Sequence, residues 1–214
     1  MDLFLIRHAQ SENNARPPAE RVADPGITSL GSQQAACLAP AIGELGLSRI
    51  FTSPFLRTLQ TAAALQQATS LIPQVKTELH EVGGCYHGHL PEQKRGAPGM
   101  NREQLREAFP SFEITSQIDS AGWWASQPFE ETNDARRRAA ELLQWVQEQF
   151  GHTDERIAFV THADIKQLML EQVHHSPLPF AWNTAVTELH MATSNWRLVE
   201  HNRVEHLVPE FHTT

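Results

Sequence analysis

The chain has 214 residues, enough for one well-buried domain, and its 40% apolar and 20% charged content is ordinary for a globular protein. A formal net charge of -8 argues against a generally basic nucleic-acid surface and against adhesion to anionic membrane. It leaves room for a small anionic ligand, because a few convergent arginines make a pocket positive inside an acidic protein. Two cysteines, Cys37 and Cys85, offer no disulfide framework. No apolar run approaches the roughly 18 residues of a membrane span, and the first residues lack the cationic start of a secretory signal. The expectation is a cytoplasmic protein.

Taken in order, Leu3-Phe4-Leu5-Ile6 is a short apolar run that suits a buried strand. Residues Thr28 to Leu45 have helical spacing, with Pro40 and Gly43 inviting a kink or an early break. Ser48 to Thr52 predicts a second strand, after which Ser53 reads as an N-cap and Pro54 as the first helical residue. Gln74 to Thr77 is a third, weaker strand. From Leu79 to about Phe129 the periodicity dissolves, apart from a short helix over Arg102 to Ala108; a segment of this length reads as a functional lid. A helix over Asn133 to Phe150 stops at Gly151. Ile157 to Val160 is a fourth strand, Ala163 to Val173 a helix, and Ala185 to Met191 with Arg197 to His201 a closing pair of strands. Strands alternating with helices predict a single α/β domain over 1–214, a three-layer α/β/α sandwich with a mostly parallel central sheet and an inserted lid at about 83–129.

Such sheets bind ligands beyond the carboxyl ends of their strands. Arg7-His8 follows the first strand, Ser53 to Arg57 the second, Glu81 the third and Thr161-His162 the fourth. A lone histidine at a strand end is more often a packing residue, but here two arginines, two histidines and a carboxylate converge on one rim. Arginine forks match phosphate oxygens and stay charged. A neutral, oriented imidazole can attack phosphorus and form a covalent intermediate. A second histidine can donate to the transferring oxygens, as can backbone N–H groups at a helix starting near Ala163. A carboxyl group can protonate the departing alcohol and then deprotonate water, with no metal or other cofactor.

Leu5-Ile6-Arg7-His8-Ala9-Gln10-Ser11-Glu12-Asn13-Asn14 resembles the Arg-His-Gly signature of the histidine phosphatase (phosphoglycerate mutase-like) superfamily, with Ala9 in place of the commoner glycine. Four further blocks resemble that family in order: Asp24 to Gly31 with Gln34-Ala35, Thr52 to Thr58 with Thr61-Ala62, Leu79-His80-Glu81, and Val160-Thr161-His162-Ala163. The resemblance implies that His8 accepts the phosphoryl group, that Arg7, Arg57 and His162 hold it, and that Asn14 also touches phosphate. It implies Glu81 as the proton donor, with Glu78 as the alternative because the following segment is one residue short. Thr28 lines the pocket or caps a helix. Asp164 stands where many relatives have a small residue.

Other signals have two readings. His80, His87 and His89 could suggest a metal, but the His-Glu-x-x-His pattern and cysteine pairs at ligand spacing are missing; His87 and His89 could instead contact substrate. Lys94, Arg95 and Arg102 either meet an anionic leaving group or form a solvated surface. Trp123 and Trp124 read as core residues more than as a stacking platform, and Arg136-Arg137-Arg138 as a helix face. The expected function is hydrolysis of a small phosphorylated metabolite, releasing inorganic phosphate. A phosphoglycerate mutase is the rival enzyme and a silent phospho-ligand binder the rival of another class. No heptad or exposed stripe speaks to oligomeric state.

Overall fold

The computed structural model describes residues 1–88, 90, 93–193 and 195–214. The first strand, β1 (Asp2–Arg7), is buried on both faces: Phe4 and Ile6 enter one core, Leu3 and Leu5 the other. This explains why it reads as an unbroken apolar run and not as an alternating one. It is followed by α1 (Glu12–Ala15), α2 (Ser29–Gly43), β2 (Arg49–Thr52), α3 (Leu56–Thr69), β3 (Gln74–Val75), β4 (Tyr86–His87), β5 (Arg95–Gly96), α4 (Arg102–Ala108), β6 (Glu113–Ile114), α5 (Thr132–Phe150), β7 (Arg156–Thr161), α6 (Ala163–Glu171), β8 (Val186–Ala192) and β9 (Asn195–Arg203).

Seven strands form the central sheet in the order β6-β3-β2-β7-β1-β8-β9. The run from β6 to β1 is parallel, and β8 and β9 extend it antiparallel. On one face, α2 and α3 pack Leu38, Ile42, Leu59 and Leu65 against Phe4, Ile6 and Ile50. On the other, α5 and α6 pack Leu142, Val146, Ile165 and Met169 against Leu3, Leu5 and Phe159. These are the three layers that the sequence predicts.

Two local expectations change. Helix α2 continues through Pro40 to Gly43; the proline sits in the last turn on an exposed face, beside exposed Ala36, so water can satisfy the carbonyl it leaves unpaired. Ser53 does not cap α3, which begins at Leu56 after Phe55. Instead Asp24, 32 residues upstream, accepts from the Leu56 N–H at 2.8 Å, and the Ser53 hydroxyl is engaged with His162.

The segment over 83–129 contains the small β4–β5 pair, α4, and β6, which joins the central sheet beside β3. Its Cys85, Leu105, Phe112, Ile118 and Trp123 belong to the same core as Phe4 and Leu59. Trp123 packs edge-on against Phe55 with ring centres 4.8 Å apart, and Trp124 meets His80 at 4.6 Å. Gly84, at φ +70°, lets this pair approach the backbone: a Cβ there would lie 2.2 Å from the Trp124 ring. Gly84→Ala should therefore cost about 1–3 kcal/mol in a denaturant titration, the range for overpacking, and shift the tryptophan emission.

Candidate active site

The parallel register places Arg7 beside Thr161 and Thr52 beside Val160. His8, Ser53 and His162 thus leave the sheet at the same carboxyl edge. A cavity of about 330 Å³ opens over that edge; Arg7, His8 and Arg57 lie in its lining, with Glu81, Ala163 and Asp164 along one wall.

His8 is 4% exposed. Its backbone N–H donates to Thr161 O at 2.9 Å, which fixes where the residue departs from the sheet. The ring is oriented by Nδ1, 2.7 Å from Ala9 O. A carbonyl can only accept, so Nδ1 carries the proton and Nε2 keeps its lone pair. That lone pair accepts from Arg57 Nε at 3.2 Å. Burial, then the charges of Arg57 and Arg7, hold the His8 imidazole well below its ordinary range, so it is neutral at physiological pH.

Arg57, in the first turn of α3, stacks on Phe55 with its guanidinium carbon 4.1 Å from the ring centre. Arg7 donates through Nη1 to Ala181 O at 2.6 Å and lies 5.2 Å from the Phe180 ring centre. Its buried Nε has no partner among the described residues. Burial lowers the Arg7 guanidinium to about 10, still charged at neutral pH.

His162 is fully buried and does not itself line the cavity. It packs edge-on against His8, ring centres 5.2 Å apart. Its Nε2 is 2.8 Å from Ser53 Oγ, while Nδ1 has no partner among the described residues. The hydroxyl and the ring nitrogen share one hydrogen bond in which either can be the donor.

Glu81 is placed by α6. Its Oε1 accepts from the backbone N–H groups of Val82 at 2.9 Å and Ile165 at 3.0 Å, and Oε2 from that of Asp164 at 3.3 Å. The helix N-terminus expected to contact phosphate therefore gives two of its N–H groups to this carboxylate. Burial first and the neighbouring Asp164 second push the Glu81 carboxyl up to about 7, against the pull of Val82 N–H, Arg57 and Ile165 N–H. Glu78, the alternative acid, lines no part of the cavity and lies near Lys76, 3.4 Å away.

Of the other expected residues, Asn14 and Ala163 line the cavity. Asn14 Oδ1 accepts from Ser11 N at 3.0 Å, closing the turn that follows His8. Thr28 caps α2, accepting from Gly31 N at 2.9 Å, and is not in the lining. His87 is exposed on β4 and also outside the lining; His89 lies outside the described residues. Arg102 binds the carbonyls of Ile118 and Thr115, and Lys94 sits over Phe129; neither they nor Arg95 line the cavity. Among the described residues, no three His, Cys, Asp or Glu side chains are grouped as a metal site would require.

Sequence reasoning missed several supports. Buried Asn183 donates through Nδ2 to His8 O at 3.0 Å and approaches Asn14 Oδ1 at 3.5 Å. Arg138, expected simply as part of a helix face, is 9% exposed; it binds the carbonyls of Glu78 at 2.6 Å and His80 at 3.0 Å and both oxygens of Glu130. It thereby anchors the backbone that leads into Glu81. Its spacing from Ala135, Leu142 and Val146 on the buried face of α5 was the available signal. Arg21, Tyr86 and Phe180 complete the cavity rim.

The sequence model of the histidine phosphatase superfamily (branch 1) matches residues 3–204. A Mycobacterium tuberculosis protein, PE-PGRS family protein PE_PGRS11, is 38% identical over 90 residues, 41% of this chain and 15% of its own length. Phosphoserine phosphatase 1 of Hydrogenobacter thermophilus is 33% identical over 92 residues, 42% of this chain and 44% of its own. The chain thus spans less than half the length of these curated relatives. Among solved structures, a mycobacterial glucosyl-3-phosphoglycerate phosphatase in complex with inorganic phosphate superimposes with a TM-score of 0.64 at 20% identity, covering 97% of this chain and 99% of that one, a likeness of fold. The chain belongs to the histidine phosphatase superfamily.

Removing Arg138 would strand Glu130 in a buried setting. Arg138→Met should lose about 3–5 kcal/mol in chemical denaturation, and an Arg138→Met/Glu130→Leu double variant should recover part of it.

Proposed function

We propose that this protein is a phosphomonoesterase acting on a small phosphorylated metabolite through a phosphohistidine on His8. The observation that carries this reading is the His8 ring: buried, neutral, with Nδ1 tied to Ala9 O and the Nε2 lone pair at the cavity beside Arg57. An imidazole so fixed is a nucleophile in waiting.

In the first step Nε2 attacks phosphorus, the P–O bond to the leaving alcohol breaks, and Glu81 gives its proton to the departing oxygen. The Arg57 N–H that now meets Nε2 turns to a phosphoryl oxygen, and Arg7 offers a second charged donor group. His162, packed edge-on behind His8, backs the nucleophile's ring and keeps it facing the cavity. In the second step Glu81 takes a proton from water, the new O–P bond forms, the N–P bond breaks, and inorganic phosphate leaves. Two guanidinium groups provide the charge stabilisation, so the chemistry requires no metal ion. Of the two carboxylate oxygens of Glu81, Oε2 is held by one long bond and is the one suited to carry the mobile proton.

With an aryl phosphate in EDTA, wild type should turn over, and His8→Ala should lose at least ~10³-fold, the scale on which nucleophile removal acts. Equal turnover by the two would sink the covalent route. Acid-labile, alkali-stable label should be trapped on wild type and not on His8→Ala. With 3-phosphoglycerate, phosphate release should outpace isomer formation; the reverse ranking would make the enzyme a mutase.

The pH dependence follows from the same groups. Glu81 must carry a proton to assist leaving-group departure, so kcat/KM for an alkyl phosphate should fall as pH rises through about 7. His8 must be uncharged and is held so well below the ordinary imidazole range, so its protonation should remove no activity near pH 6.

A further inference from the structure

Asp164 is the second residue of α6 and stands in the cavity wall beside Glu81. Its backbone N–H donates to Glu81 Oε2, so the first turn of α6 carries one carboxyl group and holds another, and both residues line the cavity. An acid in a first helical turn ordinarily serves the helix dipole. Here Glu81 already accepts from that helix end, and the Asp164 carboxylate has no hydrogen-bond or ion-pair partner among the described residues. A second, unpaired carboxylate against the first gains little as a cap and creates repulsion.

We propose that Asp164 is a positioning residue for the catalytic proton: its negative charge keeps Glu81 in the proton-carrying form, while Asp164 itself takes no part in the transfer. The functional weight of this inference rests on Glu81 acting as the proposed acid, although the electrostatic relation can be measured without it. Repulsion between the two carboxylates is relieved when one of them holds a proton. Other charged groups also face Glu81: Arg57 from α3 and Arg7 from β1 favour its ionised form, and Tyr86 stands across from it on β4. His8 and His162 are uncharged, and His80 lies on the far side with the Arg138–Glu130 pair. Burial pushes the Asp164 carboxyl up as well, but Arg7 pulls it back toward its charged form and it is the more exposed of the two, so the shared proton resides on Glu81.

The gain is in the population of the working state. A glutamic acid at its ordinary value near 4.3 is protonated in about one molecule in 500 at pH 7. Burial first and Asp164 second raise Glu81 to about 7, where a substantial share of the molecules carries the proton at neutral pH.

The test is a carboxyl ¹³C NMR titration of the full chain, with the Glu81 signal assigned by its loss in Glu81→Gln. Asp164→Asn, which keeps the shape of an exposed side chain, should lower the Glu81 midpoint by about one unit, a tenfold loss of proton affinity, as expected for removal of a nearby like charge. Asp164→Glu should retain most of the wild-type value. An unchanged or raised midpoint in Asp164→Asn would overturn the proposal. In kinetics, the alkaline limb of kcat/KM for an alkyl phosphate should move down with the midpoint. For an activated aryl phosphate, whose leaving group needs no proton, the limb should stay in place; a shift with both substrates would argue against action through Glu81. A wild type with no phosphatase activity would refute the proposed function, and the NMR arm would still decide the relation between the two carboxyls.

Discussion

An uncharged imidazole held between two guanidinium groups is the constraint on which the rest of the site depends. A protonated His8 could not act as a nucleophile, and a loosely held one would present either nitrogen. Burial and the two arginine charges settle the first requirement, and the bond from Nδ1 to Ala9 O settles the second. The arginines must in turn be kept in place without an ion pair that would consume their charge, and among the described residues neither makes a salt bridge. They are held by neutral partners, the Ala181 carbonyl and the faces of Phe180 and Phe55. Their charge is thus left available to a ligand.

The opposite wall solves a related problem. A carboxyl group meant to give up a proton must not be neutralised by the nearby arginines. Glu81 is bound through backbone N–H groups, which fix its direction, and it is not bound through a guanidinium fork, which would lock it ionised. Buried Arg138, which holds the backbone leading into Glu81, is itself occupied by Glu130 and by carbonyls. Positive charge is partitioned: a pair lining the cavity on one side, and a structural one behind Glu81.

Much of this was legible in the amino-acid order because short buried strands announce themselves and parallel sheets gather their ends at one edge. Arg7, His8, Arg57 and Glu81 were found by that rule, and the cavity brings all four together. What was not legible depends on contacts between distant segments. Ser53 has every local mark of an N-cap, yet Asp24 does that work from another part of the chain because His162 engages the serine hydroxyl. Arg138 sits in a run of three arginines that looks solvated, and only the helical phase separates the buried member from the other two. Asn183 lies in a stretch with no motif, and its importance comes from meeting the carbonyl of His8.

That last contact carries a consequence for how the protein comes into being. The bonds beneath His8 join residues 7 to 14 with residues 181 to 183, sequence separations of 169 to 175. Such contacts are among the slowest to form. During synthesis His8 is made 175 residues before Asn183, so the seat around its backbone, and with it the phosphoryl chemistry proposed for its ring, should be completed only once that later segment has been added.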